Sequence, residues 1–261
     1  MQRLYIFLVG ENMYYETNVY WNTGTVKKIN QDSVLVLQAL SSRGRVLLSA
    51  VCDGMGGMEQ GEYASGYVTE ELIVWFYDGL LDAIGKKKPL WIIRRSLERK
   101  IYQIQRRMQD YAGKRKLSMG TTMSVLILWE KRYLLWHLGD SRIYRFFLHN
   151  MLWRSKSVQR KYALKQITKD HVQGKNQLTK CVGSFGFFVP DFKMGIVRKE
   201  EAFLLCSDGF WHRLKKVEIG EVLRPEAMTE ETSERRLKEL AEAAMRRGEK
   251  DNISAVYIKC R

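Results

Sequence analysis

Cysteine is scarce in this chain and is not arranged for chemistry. The four residues, Cys52, Cys181, Cys206 and Cys260, form no CxxC pair, which excludes a zinc ribbon and a dithiol redox centre. None has an arginine six positions on, where a cysteine-dependent phosphatase needs one; Met58, Phe187 and His212 stand there instead. The four histidines, His137, His149, His171 and His212, show no paired ligand spacing, which argues against a zinc hydrolase. Only three prolines occur, and there is no low-complexity tract or repeat of solenoid period. The N-terminal run Leu4-Tyr5-Ile6-Phe7-Leu8-Val9 is far too short to cross a bilayer, and no signal-peptide cleavage pattern follows it. A cytoplasmic protein with buried free thiols is the expectation.

What is present is a core-forming sequence with excess positive charge. The 261 residues are 45% hydrophobic and 11% aromatic, enough for one large folded domain, expected to occupy 1–261. The formal charge of +15 fits a solvated basic surface or the attraction of phosphorylated, acidic partners. No nucleic-acid motif accompanies it, so neither nucleic acid nor a membrane is expected as a partner.

Short apolar runs bounded by turn or charged residues read as strands: 34–37, 46–52, 124–129, 133–138, 143–147, 203–206 and 253–258. The runs 124–129 and 133–138 form a hairpin, and Gly139-Asp140-Ser141 turns the chain into the next run. That predicts a meander and largely antiparallel sheets. Two helical stretches lie between 62 and 117. The second stripes Ile93, Leu97, Ile101, Ile104 and Met108 on one face and arginines and lysines on the other, the pattern of a surface helix docked on a sheet. A third is predicted near 233–247, with Gly248 at its C-terminal cap. The pattern indicates an α+β chain with helices packed on sheet faces.

Four aspartates share one local setting. Asp53, Asp140 and Asp208 each follow an apolar strand, and Asp251 opens one. A single such Asp is an ordinary turn residue. Four whose strand ends line one edge of a sandwich would repel one another unless a cation neutralised them, and an all-oxygen set suits Mg²⁺ or Mn²⁺. The glycines after Asp53, at 54, 56, 57 and 61, then serve a metal loop rather than a bare phosphate cradle.

Eight segments in order resemble the metal-dependent Ser/Thr protein phosphatases of the PPM (PP2C) type, in their bacterial form. They are Thr23-Gly24 with Asn30-Gln31-Asp32-Ser33, Asp53-Gly54-Met55-Gly56-Gly57, Gly120-Thr121-Thr122, Gly139 to Tyr144, Ile167 to His171, Leu178-Thr179 with Gly183, Ser207-Asp208-Gly209, and Asp251 to Ser254. The resemblance covers roughly residues 20–258. It implies a four-layer α-β-β-α sandwich of two antiparallel sheets flanked by helices. It implies hydrolysis of phosphoserine and phosphothreonine monoesters by in-line attack of a hydroxide bridging two Mn²⁺ or Mg²⁺ ions, on phosphorylated protein substrates, with a Ser/Thr kinase as the associated partner. Asp53 corresponds to the bridging metal ligand, Gly54 to a carbonyl ligand, and Asp208 and Asp251 to the remaining carboxylates of the first metal. Asp32 corresponds to an acid that orients metal-bound water, and Asp140, with Asp208, to a third metal site.

Four departures stand out. Lys27 replaces the family's frequent phosphate-binding Arg, keeping the charge without the bidentate fork. Gln31 replaces a Glu, so second-metal binding is expected to be weaker. Met55 stands where eukaryotic members carry His, as it does in bacterial ones. The segment 172–177 is short where bacterial relatives insert a flap, so a reduced or absent flap and an open site are expected. His171 is expected to serve a turn rather than catalysis. The alternative is a catalytically inactive fold of this type that only binds a partner; the retained aspartates argue against it.

Overall fold

The computed structural model describes residues 13–55, 60–149, 161–174, 177–183, 186 and 188–261. The run at 4–9, Gly56 and Gly57 of the expected metal loop, and residues 175–176 of the segment where a reduced or absent flap is expected lie outside them. The chain begins β1 (Tyr15–Asn22), β2 (Asp32–Ser41), β3 (Gly44–Asp53) and α1 (Gly61–Trp75). A π-helical stretch, Phe76–Leu81, leads to α2 (Asp82–Gly85) and the long α3 (Leu90–Arg115). Then come β4 (Met123–Trp129), β5 (Arg132–Leu138), β6 (Arg142–His149), β7 (Lys161–Gln166), β8 (Val172–Gln173), β9 (Gln177–Leu178), β10 (Asp191–Ile196) and β11 (Ala202–Cys206). The chain ends with α4 (Asp208–Trp211), α5 (Lys216–Val222), α6 (Glu230–Arg246) and β12 (Ile253–Cys260).

Two five-stranded antiparallel sheets result, in the orders β1-β12-β11-β6-β7 and β10-β5-β4-β3-β2. Alternation along β3 shows why both stack. Leu47 and Val51 meet Leu126, Phe203, Leu205 and Val256 between the sheets. Val46, Leu48, Ala50 and Cys52 face outward under α1 and α3, against Leu72, Leu97 and Ile101. The outer face of the other sheet packs Leu204, Ala255 and Tyr257 beneath Leu237, Leu240 and Ala244 of α6. Inner strands buried on both faces read as continuous apolar runs, which is why sequence reveals them. The α-β-β-α order follows.

One expectation is corrected. The β4–β5 hairpin forms, but β6 does not continue it as a meander. It crosses to the other sheet and pairs with β11 and β7. The free edge of β5 is taken by β10 instead. Gly139, at φ +109°, starts the crossing, and a side chain there would meet Thr122 carbons at 2.6 Å. The helix expected near 233–247 begins earlier, at Glu230, because Thr229 and Thr232 form a reciprocal capping pair. Gly248 follows its C-terminus at φ +85°, as expected. Edge strands β1, β7 and β10 are mixed in polarity and only partly buried, so no apolar run announces them.

Candidate metal centre

The ends of both sheets that carry the aspartates lie on the same side of the sandwich. In the β2–β3 register Asp32 is directly opposite Asp53, at the last rung of that pair. In the other sheet, Asp208 follows the end of β11, next to the start of β12 preceded by Asp251. Crosslinks hold the two edges together. Ser254 Oγ donates to Asp32 Oδ2 at 2.6 Å. Thr122 Oγ1 and Ser141 Oγ lie 2.7 Å apart.

Asp53 is gripped by its backbone, which leaves its carboxylate free of the bonds that hold the strand end. Its N–H donates to Thr122 Oγ1, and its carbonyl accepts from Thr121 Oγ1 and from the Thr122 N–H, all at 2.9 Å. The next residue explains one glycine. A side chain at Gly54 would meet the Gly61 carbonyl at 2.3 Å and the Gln31 carbonyl at 2.5 Å. Loop and helix start are thus pressed together, and only glycine fits between them.

Burial governs the acids. Asp32 is 3% exposed. Its carboxyl is pushed up to about 7 by burial, against the pull of hydrogen bonds from Ser254 and Ser207. Burial also drives Asp53 well above the carboxylate range, and the charges of Asp32, Asp208 and Asp140 add to it. Asp140 rises to about 7 through burial and then Asp208. Asp208 rises through burial and the charge of Asp251, while a hydrogen bond with Asp53 pulls the other way. Asp251 meets Lys27 Nζ at 3.1 Å, which puts the Lys27 ammonium against one of the acids.

Among the described residues, no group of three or more His, Cys, Asp or Glu side chains is drawn together as a finished ligand shell. The donor set still fits a hard divalent cation. It is all oxygen, its carboxylates raise one another's pKa, and a dication would offset their mutual repulsion.

Sequence reasoning missed the groups that hold the acids in place. Asn252 donates through Nδ2 to the carbonyls of Thr23 at 2.8 Å and Ile29 at 3.1 Å, and its Oδ1 accepts from the Gln31 N–H at 2.9 Å. It stands in the segment Asp251 to Ser254, where only Asp251 was given a role. Arg142 makes a forked pair with Asp170, closest at 2.7 Å, and lies 3.2 Å over the ring centre of Trp211. Trp211 donates to the Asp140 carbonyl at 3.2 Å. Gln31 Nε2 reaches Glu62 Oε2 at 3.3 Å. His171 accepts the Gly139 N–H at Nδ1, 3.1 Å away, and faces Asp191 from Nε2. The Trp211 and His171 bonds brace the 139–141 turn.

The family model for protein phosphatase 2C matches residues 25–253. The chain belongs to the protein phosphatase 2C family. It is a serine/threonine phosphatase of the bacterial type. PhpP of Streptococcus pneumoniae serotype 2 strain D39, a protein phosphatase, is 26% identical over 250 residues, spanning 93% of this chain and 96% of PhpP. The serine/threonine phosphatase stp of Listeria innocua is 24% identical, spanning 90% of this chain and 92% of its own. Among solved structures, PppA, a key regulatory component of T6SS in Pseudomonas aeruginosa, superposes with a TM-score of 0.73 at 25% identity, covering 96% of this chain and all of its own. The catalytic domain of the serine/threonine phosphatase PstP, in complex with two manganese ions, matches at 0.69 and 25%, covering 95% and 99%. In this phosphatase, the eight motif segments lie inside or beside the matched span.

Proposed function

We propose that this phosphatase removes phosphate from phosphoserine and phosphothreonine in proteins at the Asp-lined end of the sandwich, with two divalent cations held there. Asp53, the Gly54 carbonyl, Asp208 and Asp251 are the ligands we assign. Gln31 is the weak, uncharged neighbour of the second ion, and Asp140 with Asp208 is the pair for a third. Mn²⁺ and Mg²⁺ both suit this oxygen set; the manganese found with PstP favours Mn²⁺ as the first probe. When bound, such ions generate a water-derived nucleophile at neutral pH and neutralise the phosphate being attacked.

The chain's own residues do the rest. Asp32, fixed by Ser254 and Ser207, is positioned to accept a proton from attacking water. Lys27, 3.1 Å from Asp251, supplies a cation for the phosphate oxygens, with one point of contact rather than a fork. Among the described residues, the two-residue strands β8 and β9 frame the 172–177 segment, which supports the expected reduced or absent flap, an open site and a single domain over 1–261. All four cysteines are buried and outside any disulfide, which supports a cytoplasmic location. Phosphorylated proteins are the substrates and a Ser/Thr kinase is the opposing enzyme in this reading.

The observation that carries the reading is the collection of Asp32, Asp53, Asp140 and Asp208 at one edge, each raised in pKa by burial and by one another. Mn²⁺-dependent hydrolysis of a phosphothreonine peptide tests it. Asp208→Ala should lower kcat by at least ~100-fold, the scale on which removing one preorganised charged group from such a site acts. No turnover at saturating Mn²⁺ would overturn it.

A further inference from the structure

Helix α3 commits Ile93, Leu97, Ile101, Ile104 and Met108 to the core. Its opposite face is not needed there. Trp91, Arg95, Arg99, Tyr102 and Arg106 fall within roughly 80° of arc and about 22 Å of length at standard helical geometry. All five are exposed. Trp91 stands 58% exposed, although indole gains more than most side chains from leaving water. The Arg95 guanidinium lies over its ring at 5.4 Å.

These cations differ from their neighbours. Arg94 is paired with Glu98, while Lys100 and Arg107 share Glu71. Arg95, Arg99 and Arg106 have no carboxylate partner among the described residues. At the N-terminal end of the helix, Lys86, Lys87 and Lys88 are exposed, and only Lys86 is paired, with Asp82. The first turn of α3 carries no acid, and no side chain caps it. Lysines beside the positive end of a helix dipole destabilise the helix, and stability alone favours acids there. The unbalanced charge therefore lowers the stability of the isolated fold, and an anionic surface would offset that.

We propose that this face of α3 is a peripheral docking surface for an anionic lipid bilayer, with Trp91 seated among the headgroups and Lys87, Lys88, Arg95, Arg99 and Arg106 over their phosphates. The stripe runs along one side of a single helix, a convex face that suits a planar partner. Every apolar side chain of the helix other than Trp91 and Tyr102 is turned to the core or its margin, leaving no wall against which a peptide could fit. Indole and guanidinium are the side chains that interfaces between water and lipid take up. From sequence no membrane partner is expected; the exposed indole, which no periodicity announces, changes that reading. The surface is separate from the candidate metal residues, none of which lies on α3.

Vesicle co-sedimentation of the full chain tests it, with phosphatidylcholine vesicles that either lack phosphatidylglycerol or contain about one-third of it. Binding should be confined to the anionic vesicles and weaken with salt. Arg95→Glu with Arg99→Glu should lower the partition coefficient at least ~10-fold, given the contribution of each cation near such a surface. Trp91→Ala should lower it several-fold, and both variants should hydrolyse p-nitrophenyl phosphate at the unaltered rate. Absence of binding to the anionic vesicles would overturn the proposal, as would binding that the double variant leaves unchanged. Retention by single-stranded RNA or polyglutamate, sensitive to Trp91→Ala and without vesicle binding, would assign the stripe to that class and also overturn it.

Discussion

Asn252 and Gln31, 221 residues apart in the chain, are joined by a 2.9 Å hydrogen bond from the Gln31 N–H to the amide oxygen of Asn252. The Gln31 carbonyl in turn accepts from the Gly54 N–H at 3.1 Å. One amide side chain thus ties the start of β12, the loop before β2 and the loop after β3, which together carry Asp251, Asp32 and Asp53. Asn252→Ala leaves two carbonyls and an N–H without partners in a buried place, and should cost about 2–4 kcal/mol in urea unfolding. It should also weaken Mn²⁺ binding by calorimetry, since Asp251 and the loop at 31 lose their common anchor. Wild-type stability in Asn252→Ala would show that the staple carries no weight.

Glycine substitutions should separate close approach from flexibility. Gly54→Ala places a methyl group 2.3 Å from the Gly61 carbonyl, a backbone atom that cannot move without shifting α1. The expected loss is about 3 kcal/mol or more, at the upper end for overpacking. Gly66→Ala, in the middle of α1, meets nothing within 4 Å among the described residues. It should stabilise by roughly 0.5–1 kcal/mol, because alanine restricts the unfolded chain and favours the helix. Thermal denaturation of the two variants should move in opposite directions.

Sequence revealed the parts of this molecule that are buried on both sides. The runs that became β3, β4, β5, β11 and β12 are apolar because sheet stacks on one face and helix or sheet on the other. The edge strands β1, β7 and β10 mix charged and apolar residues, so only pairing defines them. The aspartates were legible because strand ends repeat one pattern. The role of their supports was not: Asn252, Ser254, Thr121 and Thr122 stand in the family segments, but they act across separations of 68 to 229 residues, which no local window shows. The crossing of β6 was hidden for the same reason, since the partner of β5 is a strand more than fifty residues further on.

His137 should impose an acid-side stability loss. It is fully buried, with Ser124 Oγ 2.9 Å from Nδ1 and the Lys169 carbonyl 3.1 Å from Nε2. His171 stacks on it, and Asp191 and Asp170 face it more distantly. Burial and then the His171 charge lower its pKa from the ordinary 6.5 to about 4. The unfolded chain therefore takes up a proton first as pH falls. The contribution is complete above pH 6.5 and is lost between there and about 4, reaching on the order of 3 kcal/mol. His137→Gln keeps a donor for Lys169 and cannot titrate, so its urea midpoint should fall less over that interval. Parallel pH profiles for the two proteins would contradict the assignment.

Gln31 offers the sharpest test of the proposed second metal position. Its Nε2 donates to Glu62 Oε2 at 3.3 Å, next to Gly61 and Gly54. Gln31→Glu replaces that donor with a carboxylate facing another carboxylate. Without divalent ions, the like charges should destabilise the protein, by about 0.5–1 kcal/mol at this exposed pair. With Mn²⁺ the sign should reverse, since the introduced carboxylate would give the cation a charged ligand and the cation would offset the repulsion from Glu62. The Mn²⁺ concentration for half-maximal hydrolysis of a phosphothreonine peptide should fall several-fold, while kcat at saturation stays within about twofold, as expected when binding rather than the chemical step is altered. If the variant needs more Mn²⁺ than the parent, Gln31 does not adjoin a metal, and the loop before β2 serves only to position Asp32.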